Sequence, residues 1–284
     1  MRNLGKSRGL AGTLAATIFW VLVANAAAQE KAAEPSPDEG RQILKHAAEH
    51  MQELQMHLAD DADTAVELFD RPVLTYGDSA RANKNGTLWA FGKSGRPLAV
   101  MELYQGLEPN APWVHAVTLT GQQRIKMKTP AKAPWTPAKT QIEPKPFPGV
   151  AGPEGKEPQR LRQMKDLARR FTAHEFWNPD NSRFELRLLV QPVLRYRDPD
   201  KNIQDGTVFV LAHGTNPEVI LLIEAIGAKL EESRWHYSLA RLGSAELHVS
   251  LDDTEVWEQG RTPGVVGQPS DPYWLFFSTA RPLE

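Results

Sequence analysis

The chain has 284 residues, of which 33 are basic and 35 are acidic, and it contains no cysteine. A formal net charge of −2 argues against general nucleic-acid binding, which depends on a basic surface, so we expect no nucleic-acid partner. Without cysteine the chain has neither disulfide bonds nor a lipidated cysteine, and its stability must come from packing.

The N-terminal segment has the features of a secretory signal peptide. Basic residues precede an apolar run over residues 10–24, and alanines follow at residues 26–28. We therefore predict a signal peptide over residues 1–28 and an exported protein, periplasmic or extracellular. The apolar run is shorter than the about 20 residues of a membrane-spanning helix, so we expect no membrane insertion after cleavage.

The next segment predicts an amphipathic helix. Residues 36–39 (SPDE) have the order of a capping box with proline at the first helical position. Apolar residues then recur at spacings of four and three, which predicts a buried helix face formed by Ile43, Ala47, Met51, Leu54 and Leu58.

After this helix the pattern changes to that of an antiparallel sheet. Apolar residues alternate with polar ones between Val66 and Tyr76, which is typical of a half-buried strand. Asn85-Gly86 predicts a turn. Further strands are predicted over residues 87–91, 98–104, 113–120 and 124–128, and their short connections favour a meander.

A proline-rich segment separates the two halves of the chain. Residues 129–157 contain seven prolines, which excludes a helix or a central strand and predicts an extended linker. We expect Trp135 and Phe147 in this linker to rest on a neighbouring domain.

Short segments of the first half recur in the second half. The segment 192–196 (PVLRY) matches 72–76 (PVLTY) 120 positions earlier, and Gly206-Thr207 matches Gly86-Thr87 at the same distance. This self-similarity predicts an internal duplication. Apolar runs at residues 208–212 and 219–223 predict central strands that are covered on both faces: by a helix on one, and by the first repeat or by residues 273–277 on the other.

We therefore predict an α+β fold of two tandem repeats, each with one helix and an antiparallel β-meander of about five strands. The two repeats are expected to pack together. The predicted boundaries are residues 29–128 for the first repeat, 129–157 for the linker and 158–284 for the second repeat.

Several segments of the chain resemble a group of exported two-repeat proteins of planctomycete bacteria. The resemblance covers roughly residues 66–257, and the segments 160–168, 185–196, 217–225 and 235–241 carry it most clearly. It implies export and a duplicated architecture. No activity is established for that group, so the resemblance implies no catalytic residue.

A line of histidines on the first predicted helix is the first candidate site. His46, His50, Glu53 and His57 lie at i, i+4, i+7 and i+11, and two histidines one turn apart can chelate a metal. A third ligand is not visible, and the motif lacks the glutamate that a zincin uses as its base. We therefore predict no metal site and interpret these residues as solvated or helix-flanking histidines.

Glu102 and Glu224 form a second candidate. Both lie near the ends of the third predicted strands, so a matched pair across a pseudo-twofold axis is able to act as acid and base. The alternative is that each forms an ion pair with an arginine of a neighbouring strand.

A third candidate is a basic strip formed by Arg187, Arg195 and Arg197. These arginines lie on the non-core face of the first predicted strand of the second repeat, where the first repeat lacks them. Such a strip can bind an anionic ligand or a protein. The alternative is pairing with Glu185, Glu218 or Glu224 across strands.

No nucleophile elbow, phosphate-binding loop or dinucleotide motif is present, so we predict no catalytic residue and no cofactor. The predicted function is an exported, non-enzymatic binding module for a protein or an anionic ligand. Its candidate binding residues are Arg187, Arg195, Arg197, Glu102 and Glu224. Two alternatives stay open: a hydrolase or metal-assisted enzyme with its site between the repeats, and a structural component of the cell envelope.

Overall fold

The computed structural model of the chain describes residues 37–78, 83–105, 111–130, 133–178 and 180–278. The predicted signal peptide lies outside the described residues, as does Ser36 of the capping box. Helix α1 spans Pro37–Gln52, as expected from the proline, and helix α2 spans Glu157–Ala168. None of the helices in the described ranges is long and apolar enough to cross a membrane.

Sixteen strands occur in the described part of the chain. They are β1 Gln55–Leu58, β2 Leu74–Asp78, β3 Asn83–Phe91, β4 Ala99–Gln105, β5 Trp113–Leu119, β6 Ile125–Lys128, β7 Lys145–Pro146, β8 Phe171–Trp177, β9 Ser182–Leu188, β10 Leu194–Asp198, β11 Ile203–His213, β12 Asn216–Ile226, β13 Arg234–Arg241, β14 Glu246–Leu251, β15 Thr254–Gln259 and β16 Tyr273–Ser278. All pairings between them are antiparallel.

The strands form three sheets. A five-stranded sheet has the order β16-β5-β4-β3-β2. A nine-stranded sheet has the order β15-β14-β8-β9-β11-β12-β13-β7, with β10 also paired to β11. Strands β1 and β6 form a separate pair.

The five-stranded and nine-stranded sheets share one hydrophobic core. This core joins residues of the first sheet to residues of the second: Leu88, Ala90 and Val100 to Val208, Val210, Ile220 and Leu222. Helix α2 covers the other face of the nine-stranded sheet with Met164 and Leu167. The prediction of central strands covered on both faces is confirmed for β11 and β12, since residues 208–212 and 219–223 are all buried.

The predicted fold class, α+β with two tandem helix-plus-meander repeats, is wrong. The protein is mostly β, and its two main sheets differ in size. Strand β16, near the C-terminus, pairs along its length with β5 and so completes the sheet of the first half. It has buried residues on both faces, Trp274 and Phe276 on one and Tyr273 and Leu275 on the other. Local periodicity cannot identify such a distant partner.

The first helix and the first meander are both shorter than predicted. Helix α1 ends at Gln52, and Leu58 lies in strand β1 instead of on the helix face. Strand β6 pairs with β1 and does not continue the meander. Burial of Met56 in the core explains this change, because a strand places that side chain against the first sheet.

Gly86 lies inside strand β3 instead of in the predicted turn. It is paired with Tyr76, and the tyrosine ring occupies the space that a Cβ at this position needs. Gly206 has the same relation to Tyr196 in the second sheet. In both halves, therefore, the matched tyrosine and glycine form a close contact between a ring and a residue without a Cβ. The internal duplication itself stays a prediction.

The proline-rich segment packs against both halves. Trp135 is fully buried in the core of the first half, and Phe147 is buried in the core of the second, as expected. Within this segment, β7 pairs with β13 at the edge of the nine-stranded sheet, a position that tolerates proline.

We expect Phe276→Ala to lower the free energy of unfolding by about 3–5 kcal/mol, because it removes a buried ring from β16. The adjacent Phe277 is 49% exposed and provides a matched control. For Phe277→Ala we expect a change within about 0.5 kcal/mol. Urea denaturation followed by tryptophan fluorescence measures both, and equal losses would contradict the described packing of β16.

Candidate functional site

Two tyrosine–glutamate pairs lie buried in the two facing sheets. In the first sheet the hydroxyl of Tyr76 donates a hydrogen bond to Glu102. In the second sheet the hydroxyl of Tyr196 donates to Oε1 of Glu224 at 2.6 Å. Both glutamates are buried, with 4% and 1% of their surfaces exposed. The two pairs differ in register, since Glu224 lies opposite Gly206 in its ladder and Glu102 lies opposite Leu88. Their further partners also differ.

Glu224 forms a buried ion pair with Arg96, which lies in the turn between β3 and β4 of the other sheet. Arg96 Nε lies 2.7 Å from Oε1 and Nη2 lies 2.5 Å from Oε2. The amide of Arg96 also donates to Asp198 at 3.3 Å. The ion pair expected for Glu224 is therefore present, and its arginine comes from the facing sheet instead of a neighbouring strand.

Glu102 lies in a different electrostatic environment. Burial raises the pKa of Glu102 well above its usual range, and the charge of Glu218 raises it further. Asn216 donates to Oε1 of Glu218 at 2.6 Å, and Gly243 leaves the room that Oε2 of Glu218 occupies. Two carboxyl groups of the interior thus interact here, an arrangement that favours retention of a proton.

A cleft of about 420 Å³ opens beside this acidic cluster. Tyr273 forms part of its wall, and its hydroxyl lies 2.9 Å from Oγ of Ser244. Burial raises the pKa of Tyr273, and the charges of Glu102 and Glu218 contribute to this shift. The tyrosine therefore lies between the cleft and the buried carboxyl groups.

Three basic residues line the cleft: Lys139, Lys145 and Arg241. Arg241 donates to the carbonyl groups of Gly243, Ala245 and Gly260 at 3.0, 2.6 and 2.9 Å. Its guanidinium group stacks over the ring of Tyr273, with 5.4 Å between the guanidinium carbon and the ring centre. Arg241 thus holds the cleft wall in place and adds positive charge to it.

The arginines of the predicted basic strip lie elsewhere and have partners. Arg195 binds Asp205 through Nε and Nη2 at 2.9 and 2.6 Å, and it also contacts Glu157. Arg197 lies 3.5 Å from the same glutamate, and Arg187 donates to the carbonyl group of Gly214. None of the three arginines lines the cleft. Their acidic partners are Asp205 and Glu157, not the glutamates expected from the sequence.

The predicted line of histidines is divided among different elements. His46 and His50 lie on α1, but Glu53 follows the end of the helix and His57 lies in β1 opposite Lys126. His50 instead contacts His115 of β5 and Ser278 of β16. Burial and the neighbouring His50 lower the pKa of His115 to about 3.

Sequence analysis missed Arg96, Glu218 and Arg241 as parts of the polar interior. Their positions follow from the packing of one sheet on the other, and no local pattern indicates it. Polar residues within otherwise apolar strands, such as Glu218 at the start of β12, were the available signal.

No family model, no curated protein and no solved structure matches this chain. The function is therefore argued from the geometry of the site.

We expect Arg96→Met to lower the free energy of unfolding by about 3–5 kcal/mol, because it leaves Glu224 buried without its cation. Lys93→Met is the control, since Lys93 lies in the same turn and pairs with Asp70 at the surface. The double variant with Glu224→Gln should recover part of the loss. Urea denaturation measures these changes. Equal losses of stability in Arg96→Met and Lys93→Met would be inconsistent with a buried ion pair.

Glu102 should make the protein less stable as the pH rises. Its pKa is raised in the folded state, so its favourable contribution is complete below its ordinary pKa of 4.5 and is lost as the pH rises towards the folded-state value. Glu102→Gln keeps an acceptor for Tyr76 and removes this titration. Above pH 4.5 the variant should gain stability relative to the wild type, by up to about 1.4 kcal/mol per pH unit.

Denaturant titrations at a series of pH values measure this difference. The exposed Glu231 offers a matched control, since Glu231→Gln removes the same group without touching the interior. Parallel stability curves for Glu102→Gln and the wild type would show that the carboxyl group is not perturbed by burial.

Proposed function

We propose that this protein is an exported binding module that holds a small organic anion in the cleft beside Tyr273. The observation that carries the proposal is the charge of the cleft wall, where Lys139, Lys145 and Arg241 outnumber Glu143 and Asp271. The cleft volume of about 420 Å³ is in the range of small-molecule sites.

The cleft wall combines this charge with aromatic surface. Tyr237 and Trp257 line it together with Tyr273, and flat rings of this kind suit the body of a sugar acid or another compact organic anion. Lys139 is exposed, and Lys145 Nζ lies 3.2 Å from the carbonyl oxygen of Val256. The two lysines are the groups that would contact the anion, because the guanidinium nitrogens of Arg241 already donate to the backbone.

Binding is favoured over hydrolysis by the position of the carboxyl groups. Glu102 and Glu218 are buried behind the cleft wall, with 4% and 1% of their surfaces exposed, and a general acid must reach its substrate. Glu224 is engaged by Arg96 and Tyr196. Export is the expectation from the predicted signal peptide over residues 1–28, and the resemblance to exported proteins agrees with it.

Isothermal titration calorimetry with glucuronate and citrate tests the proposal, with glucose as the uncharged counterpart of glucuronate. We expect the wild type to bind at least one of the two anions and not glucose. Lys139→Glu and Lys145→Gln should each weaken binding at least tenfold, a change of about 1.4 kcal/mol.

Lys229→Glu is the matched control, because Lys229 is exposed and does not line the cleft. An equal loss of affinity in this control would indicate a general effect of charge and contradict the assignment of the cleft. Failure of the wild type to bind either anion would overturn the proposal. Chemical conversion of either anion would instead favour the alternative of a metal-assisted enzyme.

A further inference from the structure

Three side chains from distant parts of the chain converge on one point outside the cleft. His50 of α1 and His115 of β5 present their Nε2 atoms to each other at 3.1 Å. The hydroxyl oxygen of Ser278, at the end of β16, lies 2.9 Å from Nε2 of His50 and 3.0 Å from Nε2 of His115. The three atoms therefore form a closed triangle with nearly equal sides.

Within the described residues, His115 lacks the second hydrogen-bond partner that the base of a serine–histidine catalytic relay requires. In a relay the base turns one ring nitrogen towards the serine and the other towards a group that orients it. Here both imidazoles turn the same nitrogen, Nε2, towards Ser278, and Nδ1 of His115 is buried without a hydrogen-bond partner. The two Nε2 atoms and the hydroxyl oxygen of Ser278 thus surround a common centre.

Convergence of this kind is typical of ligands around a metal ion. A tetrahedral zinc ion bound at 2.0–2.1 Å separates its ligand atoms by about 3.3 Å, so the triangle needs to open by only about 0.3 Å. Imidazole nitrogen is a preferred ligand of Zn²⁺, Cu²⁺ and Ni²⁺. The serine oxygen is a weaker ligand, and three protein ligands leave one tetrahedral position for water.

The surroundings hold the two imidazoles in place. The ring of Trp113 stacks on His50 with 5.6 Å between centres, and the ring of Phe276 stacks on His115 with 4.4 Å between centres. His115 is fully buried and Ser278 is 8% exposed. His115 and Ser278 thus lie in a shielded site, His50 is partly buried, and stacking holds the orientation of both rings.

We propose that His50, His115 and Ser278 bind a divalent transition-metal ion, with Zn²⁺ as the best fit. The ion links the N-terminal helix of the described chain to the C-terminal strand through β5. Because a metal that binds only the folded state stabilises it, the ion ties both ends of the described chain to the first sheet. This site shares no residue with the lining of the anion cleft.

A surface cluster of His248, Glu255 and Glu258 also offers metal ligands within 4.8 Å of one another. Its histidine is already held by hydrogen bonds to Glu255 and Glu246, at 2.8 and 3.3 Å, and its glutamates are exposed. This cluster is the main competitor for added metal, so the experiment must distinguish the two sites.

The experiment titrates metal-free protein with ZnCl₂ by calorimetry and follows the melting temperature in parallel. We expect one tight site per chain and a rise in melting temperature on addition of Zn²⁺. His50→Gln should weaken this site more than tenfold and abolish the rise. Ser278→Ala should weaken it less, and it keeps the test valid if His50→Gln disturbs the fold.

Two histidine variants serve as matched controls. His46→Gln changes a histidine on the same helix outside the triangle, and His248→Gln removes the competing surface site. Both should keep the tight site and the rise in melting temperature. Loss of tight binding in His248→Gln, unchanged binding in both His50→Gln and Ser278→Ala, or no tight binding by the wild type would each overturn the proposal.

Discussion

The ion pair between Arg96 and Glu224 joins a turn of the five-stranded sheet to strand β12 of the nine-stranded sheet, and it constrains how the two sheets pack. Removal of both charges from water is costly, so the pair is stable only with good geometry and further hydrogen bonds. Arg96 makes two short contacts with Glu224, and the hydroxyl of Tyr196 donates a further hydrogen bond to the same carboxylate. The apolar core that contains Leu88, Val208 and Leu222 then closes the space between the sheets.

The two tyrosine–glutamate pairs show how similar local structures acquire different electrostatics. Tyr76 and Tyr196 each lie on a glycine and each donate to a glutamate. At one position the facing sheet supplies an arginine, and at the other it supplies Glu218. The carboxylate of Glu224 is neutralised by Arg96. At the other position two acidic groups, Glu102 and Glu218, remain in the interior, and the cleft with its lysines lies beside them.

The C-terminal strand has a larger role than its position in the chain indicates. It completes the first sheet and provides Tyr273 to the cleft and Ser278 to the histidine pair. The proposed anion site and the proposed metal site therefore both depend on the same strand. They lie on opposite faces of it, because alternate residues of a strand point in opposite directions.

The sequence by itself determined the local elements. Proline at residue 37 placed the start of α1, and the apolar runs at residues 208–212 and 219–223 identified β11 and β12 as buried strands. These inferences succeeded because helix and strand periodicity and proline chemistry act between residues that are close in the chain.

Only the tertiary structure decided which elements are neighbours. The partner of β5 is β16, the partner of Glu224 is Arg96, and the neighbour of His50 is His115, all at large sequence separations. Burial of apolar surface, which drives these contacts, has no direction along the chain. A pattern of residues therefore shows that a strand is buried without showing which element covers it. The fold class and the candidate site both depend on which elements are neighbours.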